Sequence, residues 1–246
     1  MKYLVILGDG MADRPIESLG GRTPLEYAKT PKLVEQAAKG EIGMVHTIPD
    51  GMKPGSDTAN LSVLGYNPRE FYSGRSPLEA LSIGVPMKDT DVALRCNIVT
   101  LSEEEDNYED RTIIDHSSGE ISTEECAVLL EAVKKELETD IFLFYVGTSY
   151  RHCLIWENCE VVDLVQPHDG LGQKIGDKLP ENEALRTMMK KSYDILVNHP
   201  INIERKKKGL NPANSCWFWG AGTKPALYPF TERTHKKGAM ISAVDL

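Results

Sequence analysis

The strongest constraint on the fold is a run of five residues, Tyr3-Leu4-Val5-Ile6-Leu7, that carries no polar interruption and stops at Gly8-Asp9-Gly10. An unbroken β-prone stretch of this kind fits a strand covered on both faces, the usual condition of a parallel sheet flanked by helices. Thr30-Pro31 then opens a helix, with Thr placed to cap, Pro at the first helical position and Gly40 beyond the last turn. Residues 42–48 read as a second short strand. This alternation predicts an α/β fold with a mainly parallel sheet. In such sheets ligands bind outside the carboxyl ends of the strands, where Asp9 falls.

After about Pro86 the texture changes. Strands are predicted over residues 92–100, 112–115, 141–146, 153–156 and 161–165. Ser122-Thr123-Glu124-Glu125 matches a capping box, and the helix behind it places Cys126, Leu129, Leu130, Val133 and Leu137 on one face. A connector rich in Gly, Pro and Asp covers 167–180, and a helix over 184–198 carries the stripe Leu185, Met189, Tyr193 and Leu196. Residues 216–219 and 239–244 read as further buried strands, and Arg205-Lys206-Lys207-Lys208 as an exposed helix end. The expected organisation is a core of residues 1–87 and 185–246 interrupted by a small α+β lobe over 88–184. An apolar strand followed at once by Val244-Asp245-Leu246, with no helix to cover it, reads as a core cut short in its C-terminal half.

The formal charge of −9 gives no general attraction to nucleic acid or anionic lipid. No apolar run approaches the roughly 20 residues of a membrane helix, and residues 3–7 are too short for the core of a signal peptide, so a cytoplasmic protein is expected. Five cysteines at scattered spacings, without a C-x-x-C pair, fit reduced and mostly buried thiols.

Two features could carry chemistry. Asp9, between glycines at a strand end, can hold a cation or simply bond its own turn. Pro54-Gly55-Ser56-Asp57-Thr58-Ala59-Asn60 brings Ser56 to the start of a short helix over 57–64, where free amides and the helix dipole favour an oxyanion, although Ser is also an ordinary cap there. The segment matches neither the phosphate loop G-x-x-x-x-G-K-[ST] nor the hydrolase elbow G-x-S-x-G.

Together with Thr23-Pro24-Leu25-Glu26, Leu64-Gly65-Tyr66-Asn67-Pro68, Tyr72-Ser73-Gly74-Arg75-Ser76-Pro77-Leu78-Glu79-Ala80, Arg95-Cys96-Asn97 and His199-Pro200-Ile201-Asn202, these runs resemble the archaeal type of cofactor-independent phosphoglycerate mutase, a branch of the alkaline-phosphatase-like metalloenzymes. The close branch includes bacterial proteins proposed as homoserine kinases, which Ser149-Tyr150-Arg151-His152 and Pro167-His168-Asp169 resemble more. The resemblance implies an alkaline-phosphatase-like core, phosphoryl transfer through a phosphoserine at Ser56, and two divalent cations (Mn2+, Mg2+ or Zn2+) held in part by Asp9 and Ser56. It implies no need for 2,3-bisphosphoglycerate. A substrate clamp in the inserted lobe would use Arg95, Asp115, Arg151 and His152, with Arg233 where the family carries a phosphate-contacting Lys. His116 and Glu120 stand where the mutase pattern has arginines, which fits a zwitterionic substrate better than a phosphoglycerate. By resemblance over nearly the whole chain the first reading is still interconversion of 2- and 3-phosphoglycerate, with a homoserine-directed phosphotransferase and an inactive ligand-binding remnant as alternatives. The substrate is a small phosphorylated, hydroxy-acid or amino-acid molecule, no nucleic-acid or membrane partner is expected, and an oligomer is left open. A metal site with only Asp9 and Ser56 would be weak, so the 246-residue chain is expected to show no turnover by itself.

Overall fold

A computed structural model describes residues 2–8 and 10–241. These divide into two compact units, Met1–His46 and Thr47–Leu246.

The first unit holds two short helices, α1 (Pro24–Tyr27) and α2 (Pro31–Lys39). The Thr23 hydroxyl accepts a hydrogen bond from the Glu26 amide and the Glu26 carboxylate accepts one from the Thr23 amide, a complete capping box in front of Pro24. Thr30 makes no such bond. Pro31 at the first position and Gly40 at the end delimit α2 as expected. The predicted strands do not form. Residues 3–7 form no strand and are 60–85% exposed, and 42–48 likewise carry no strand. An apolar run has the propensity for a strand, but a strand exists only where a second backbone receives its hydrogen bonds.

The second unit opens with α3 (Ser56–Val63), α4 (Pro68–Phe71) and α5 (Arg75–Ser82), and continues into a five-stranded sheet. Its strands are β1 (Val92–Leu101), β2 (Ile113–Asp115), β3 (Phe142–Thr148), β4 (Arg151–Trp156) and β5 (Ser215–Thr223). Between them lie α6 (Thr123–Leu137), α7 (Glu183–Leu196) and α8 (Pro200–Lys207), and α9 (Phe230–Thr234) follows. β1 is central and buried along all ten residues, with β4 antiparallel on one side and β5 antiparallel on the other, while β2 pairs with its C-terminal end and β3 with β4. The mixed α/β class holds, but every pairing between these strands is antiparallel, where a mainly parallel sheet was expected. The runs that would build the parallel part are 3–7, 42–48 and 239–244; the first two and 239–241 form no strand, and 242–244 lie outside the described residues. Residues 161–165 also join no ladder, although the Val165 carbonyl accepts a bond from the buried Trp217 indole.

β1 alternates faces as a strand must. Val92, Leu94, Cys96 and Ile98 face α6 and α7, which supply Cys126, Leu129, Leu130 and Val133 from one helix and Leu185, Met189, Tyr193 and Leu196 from the other. The predicted stripes on both helices are the buried ones. Cys96, Cys126, Cys153 and Cys216 are buried free thiols, as expected. Ser122 caps α6 by accepting the Glu125 amide, but the Glu125 carboxylate turns instead to Arg205, 2.6 Å away. Arg205 is thus no exposed helix end. It is 5% exposed and also donates to the carbonyls of Ser118 and Asn211, because α8 packs back toward α6 through its last turn. Because β5 lies beside β1, residues on both sides of the expected boundary at 185 share one sheet.

Candidate functional site

The other face of β1 presents Ala93, Arg95 and Asn97, and α5 covers only part of it. The first turn of α5 is seated on β5 by side chain and backbone together. Ser73 Oγ donates to the Thr223 carbonyl at 2.6 Å and Ser76 Oγ to the Gly220 carbonyl at 2.5 Å. Gly74 has φ 125° and a Cβ there would lie 2.9 Å from Gly222 Cα, so this approach tolerates only glycine.

That seating puts Glu79 between two cations. Its Oε1 is 2.8 Å from Arg75 Nε, one helical turn back, and its Oε2 is 2.9 Å from Arg95 Nε. Arg95 also lies 4.4 Å from the centre of the Trp219 ring, its neighbour across the β1–β5 ladder. Burial pushes the Arg95 guanidinium down to about 10, with the charges of Arg75 and Arg151 acting the same way against the pull of Glu79, and it remains charged at neutral pH. Arg151 opens β4, faces the Tyr150 ring and lines a cleft with Ser76, Glu79, Arg95 and Thr148. Two imidazoles stand beside this group. His116 and His168 have ring centres 4.2 Å apart, and His168 meets the edge of Trp219. Burial, then the nearness of His116 and Arg95, lowers the His168 pKa, so its ring is neutral at pH 7.

The remaining expected residues fall elsewhere. Asp115 accepts bonds from the Ser117 amide and hydroxyl, the Gly119 amide and the Asn211 amide group. Burial raises its pKa, but these donors outweigh burial and hold it below the usual carboxylate range. It thus braces the turn that carries His116, whose carbonyl accepts from Asn97. His152 is on the opposite face, toward α6. Its Nδ1 accepts the Gly147 amide and its Nε2 lies 3.1 Å from Cys126 Sγ, and burial pushes it down to about 4. The ladder alternates, so the side chains of Arg151 and its neighbour His152 leave the strand on opposite faces, although both residues line the cleft. Arg233 donates to the Gly65 carbonyl and lies over the Tyr66 ring.

Ser56 is the exposed first residue of α3, with Gly55 rather than Ser56 as the N-cap. Beside it the buried Asp57 accepts from its neighbour's amide at Thr58 and from Tyr72 Oη at 2.7 Å. Burial, and then that bond to Asp57, raises the Tyr72 pKa, so the phenol stays a donor. Tyr72 precedes Arg75 by three residues and so ties the serine-bearing helix to the segment that starts the arginine cluster. Asp9, the other expected metal ligand, lies outside the described residues. Among the described residues no three His, Cys, Asp or Glu side chains are grouped to hold a metal ion.

Arg75 and Glu79 were not assigned a role from sequence, although their spacing puts them on one helix face. Trp219 gave no local signal and His168 stood out only in the Pro167-His168-Asp169 resemblance, since the β5 register and the turn at Pro167–Gly170 bring them in.

The profile of 2,3-bisphosphoglycerate-independent phosphoglycerate mutase matches residues 37–202. The chain belongs to this family. Over its whole length it is 48% identical to the family's enzyme from Methanosarcina barkeri, covering 61% of that protein, and 47% identical to a probable enzyme of the same name from Geobacter sulfurreducens, covering 62%. Among solved structures it is similar to a Pyrococcus horikoshii protein (33% identity, TM-score 0.65, 92% of this chain and 52% of that one). A cofactor-independent phosphoglycerate mutase from Thermoplasma acidophilum aligns at 28% identity and a TM-score of 0.54, with 96% of this chain and 63% of that one covered. The chain therefore spans about three-fifths of the length of the curated family members it matches. Among the described residues no helix is long and apolar enough to cross a membrane.

Proposed function

We propose that the chain acts in the interconversion of 2- and 3-phosphoglycerate without 2,3-bisphosphoglycerate, with Ser56 taking up and returning the phosphoryl group. The carrying observation is the cluster of Arg75, Arg95 and Arg151 around Glu79, in a chain 48% identical to a protein named for that reaction. Guanidiniums gathered at one carboxylate suit a phosphate dianion or the carboxylate of a phosphoglycerate, which a planar fork can grip bidentately. In the first step the bond from Ser56 Oγ to phosphorus forms as the substrate's phosphate ester bond breaks, and the serine proton passes to the departing glycerate oxygen. Rotation of the glycerate and the reverse transfer to its other hydroxyl complete the cycle. His116 and His168, the latter edge-on to Trp219, would help keep water from the phosphoserine.

Two divalent cations, Mn2+, Mg2+ or Zn2+, belong to this reading through the family resemblance, with Asp9 and Ser56 among their ligands. The described residues supply no grouping that fits such an ion, so no step is derived through one. An alkaline-phosphatase-like parallel core, formed from the apolar runs at 3–7, 42–48 and 239–244, is likewise part of the proposal. So is the division into that core and an inserted lobe over 88–184; the pairing of β5 with β1 supports extending the lobe to about Thr223. Nothing in the fold or the relatives favours a homoserine-directed reaction.

The test is calorimetric titration of the chain with 3-phosphoglycerate and with inorganic phosphate, joined to an isomerisation assay. We expect 3-phosphoglycerate to bind at least about tenfold more tightly, because its carboxylate adds a second charge-assisted contact. Any turnover should vanish in Ser56→Ala. Equal affinity for the two anions would overturn the substrate assignment.

A further inference from the structure

The structure assigns Glu79 as a positioning residue for anion recognition, a role that rests on the proposed phosphoglycerate reading for its substrate but not for its geometry. The carboxylate reaches Arg75 and Arg95 from opposite oxygens, at 2.8 and 2.9 Å, and meets both at Nε. A guanidinium has two donor edges. Arg75 donates its Nε to Glu79, whereas Arg95 Nε faces the carboxylate as an ion pair without a hydrogen bond, and among the described residues the Nη groups of both arginines donate to nothing. Two outer edges left open beside one carboxylate, one held by a hydrogen bond and the other by charge and the Trp219 ring, can receive one phosphate or carboxylate.

Glu79 is not needed to seat its helix. Ser73 and Ser76 already bond to β5, Gly74 packs on Gly222, and Ala80 is fully buried in the small cluster beneath α5. Its side chain is 17% exposed, so its charge is poorly screened by water, and its ion pairs go to Arg75 and to Arg95 of the cleft. Removing the carboxylate would leave Arg75 and Arg95 close together without the anion that both face. General electrostatics then predicts stronger anion binding, whereas a positioning role predicts weaker binding. The two readings separate by sign.

The experiment titrates the full chain and Glu79→Gln, Glu79→Asp and Arg75→Lys variants with 3-phosphoglycerate and, separately, with inorganic phosphate, and records thermal midpoints beside the affinities. Glu79→Gln is expected to lose at least about tenfold in affinity for whichever anion the parent binds, because the fixed forks are lost. Glu79→Asp, whose shorter arm can still anchor one arginine, should recover part of that loss. Arg75→Lys keeps the charge but not the fork, and should weaken binding to a similar degree even if Glu79→Gln does not fold. Unchanged or tighter binding by folded Glu79→Gln or Arg75→Lys overturns the assignment, as does a parent that binds neither anion. If the parent prefers no phosphoglycerate over phosphate yet the variants still weaken binding, the substrate reading fails and the role of Glu79 stands.

Discussion

On the side of β1 that meets α6 and α7, Leu94, Cys96 and Ile98 are joined by Leu154 and Phe218 from the flanking strands, each at most 1% exposed. On the opposite side Arg95 is nearly as inaccessible, at 5%, and yet carries a charge. Depth alone does not distinguish the two faces; what compensates the burial does. Apolar side chains are favoured by any dry neighbour of suitable volume. A buried guanidinium is tolerable only with a counter-charge and a ring at fixed places, here Glu79 and Trp219. One face is therefore specified by volume and the other by particular partners, and only the second can be read as a site.

The largest effect should come from the volume-specified face. Leu130 is fully buried on α6, and Leu130→Ala should cost about 2–5 kcal/mol in chemical denaturation, the range for a leucine cavity. Its affinity for 3-phosphoglycerate, measured on the folded fraction, should not change. A loss of affinity comparable to that of the Glu79 variants would show that the faces are not independent.

His152 sharpens the contrast from inside the same face, because it is an ionisable group held among apolar ones. Burial pushes its pKa down to about 4, below the ordinary 6.5. Between those values the unfolded chain binds the proton and the folded chain does not, so this stabilisation is full above pH 6.5 and is lost as the pH falls toward 4. The loss should be on the order of 3 kcal/mol at most. Unfolding free energies from pH 7 to 4 should fall less steeply for His152→Gln than for the parent. Parallel curves would show that His152 stays hydrated in the folded chain.

Much of the volume-specified face was legible in the sequence. The stripe from Cys126 to Leu137, the stripe from Leu185 to Leu196 and the strand at 92–100 follow from period and propensity, which are local. The partner-specified face was legible only in pieces. Arg95 and Arg151 were expected in a clamp and do line one cleft, but Glu79 and Trp219 reach them through a helix seating and a strand register that no short window encodes. His152 was expected beside Arg151, and strict alternation turns its side chain to the other face. The apolar runs at 3–7 and 42–48 show the opposite limit, since their pattern reports a tendency to pair and carries no information on what receives the bonds. Arg205 joins them: a basic cluster at a helix end reads as solvated until Glu125 and the Ser118 carbonyl appear beside it.

The smallest change in stability is expected at Arg95 itself, and it tests the contrast most directly. Arg95→Ala removes a guanidinium whose desolvation already offsets much of its attraction to Glu79, and Glu79 keeps Arg75 at 2.8 Å, so no carboxylate is left unpaired. Unfolding should shift by no more than about 1 kcal/mol, mostly through lost packing on Trp219. Affinity for 3-phosphoglycerate should fall at least about tenfold, because a charge-assisted fork is lost whole. A face built for recognition shows this split, with a large effect on binding and a small one on folding. If Arg95→Ala instead destabilises the chain as much as Leu130→Ala while leaving anion affinity intact, the ion pair with Glu79 is part of the framework and the two faces do the same work.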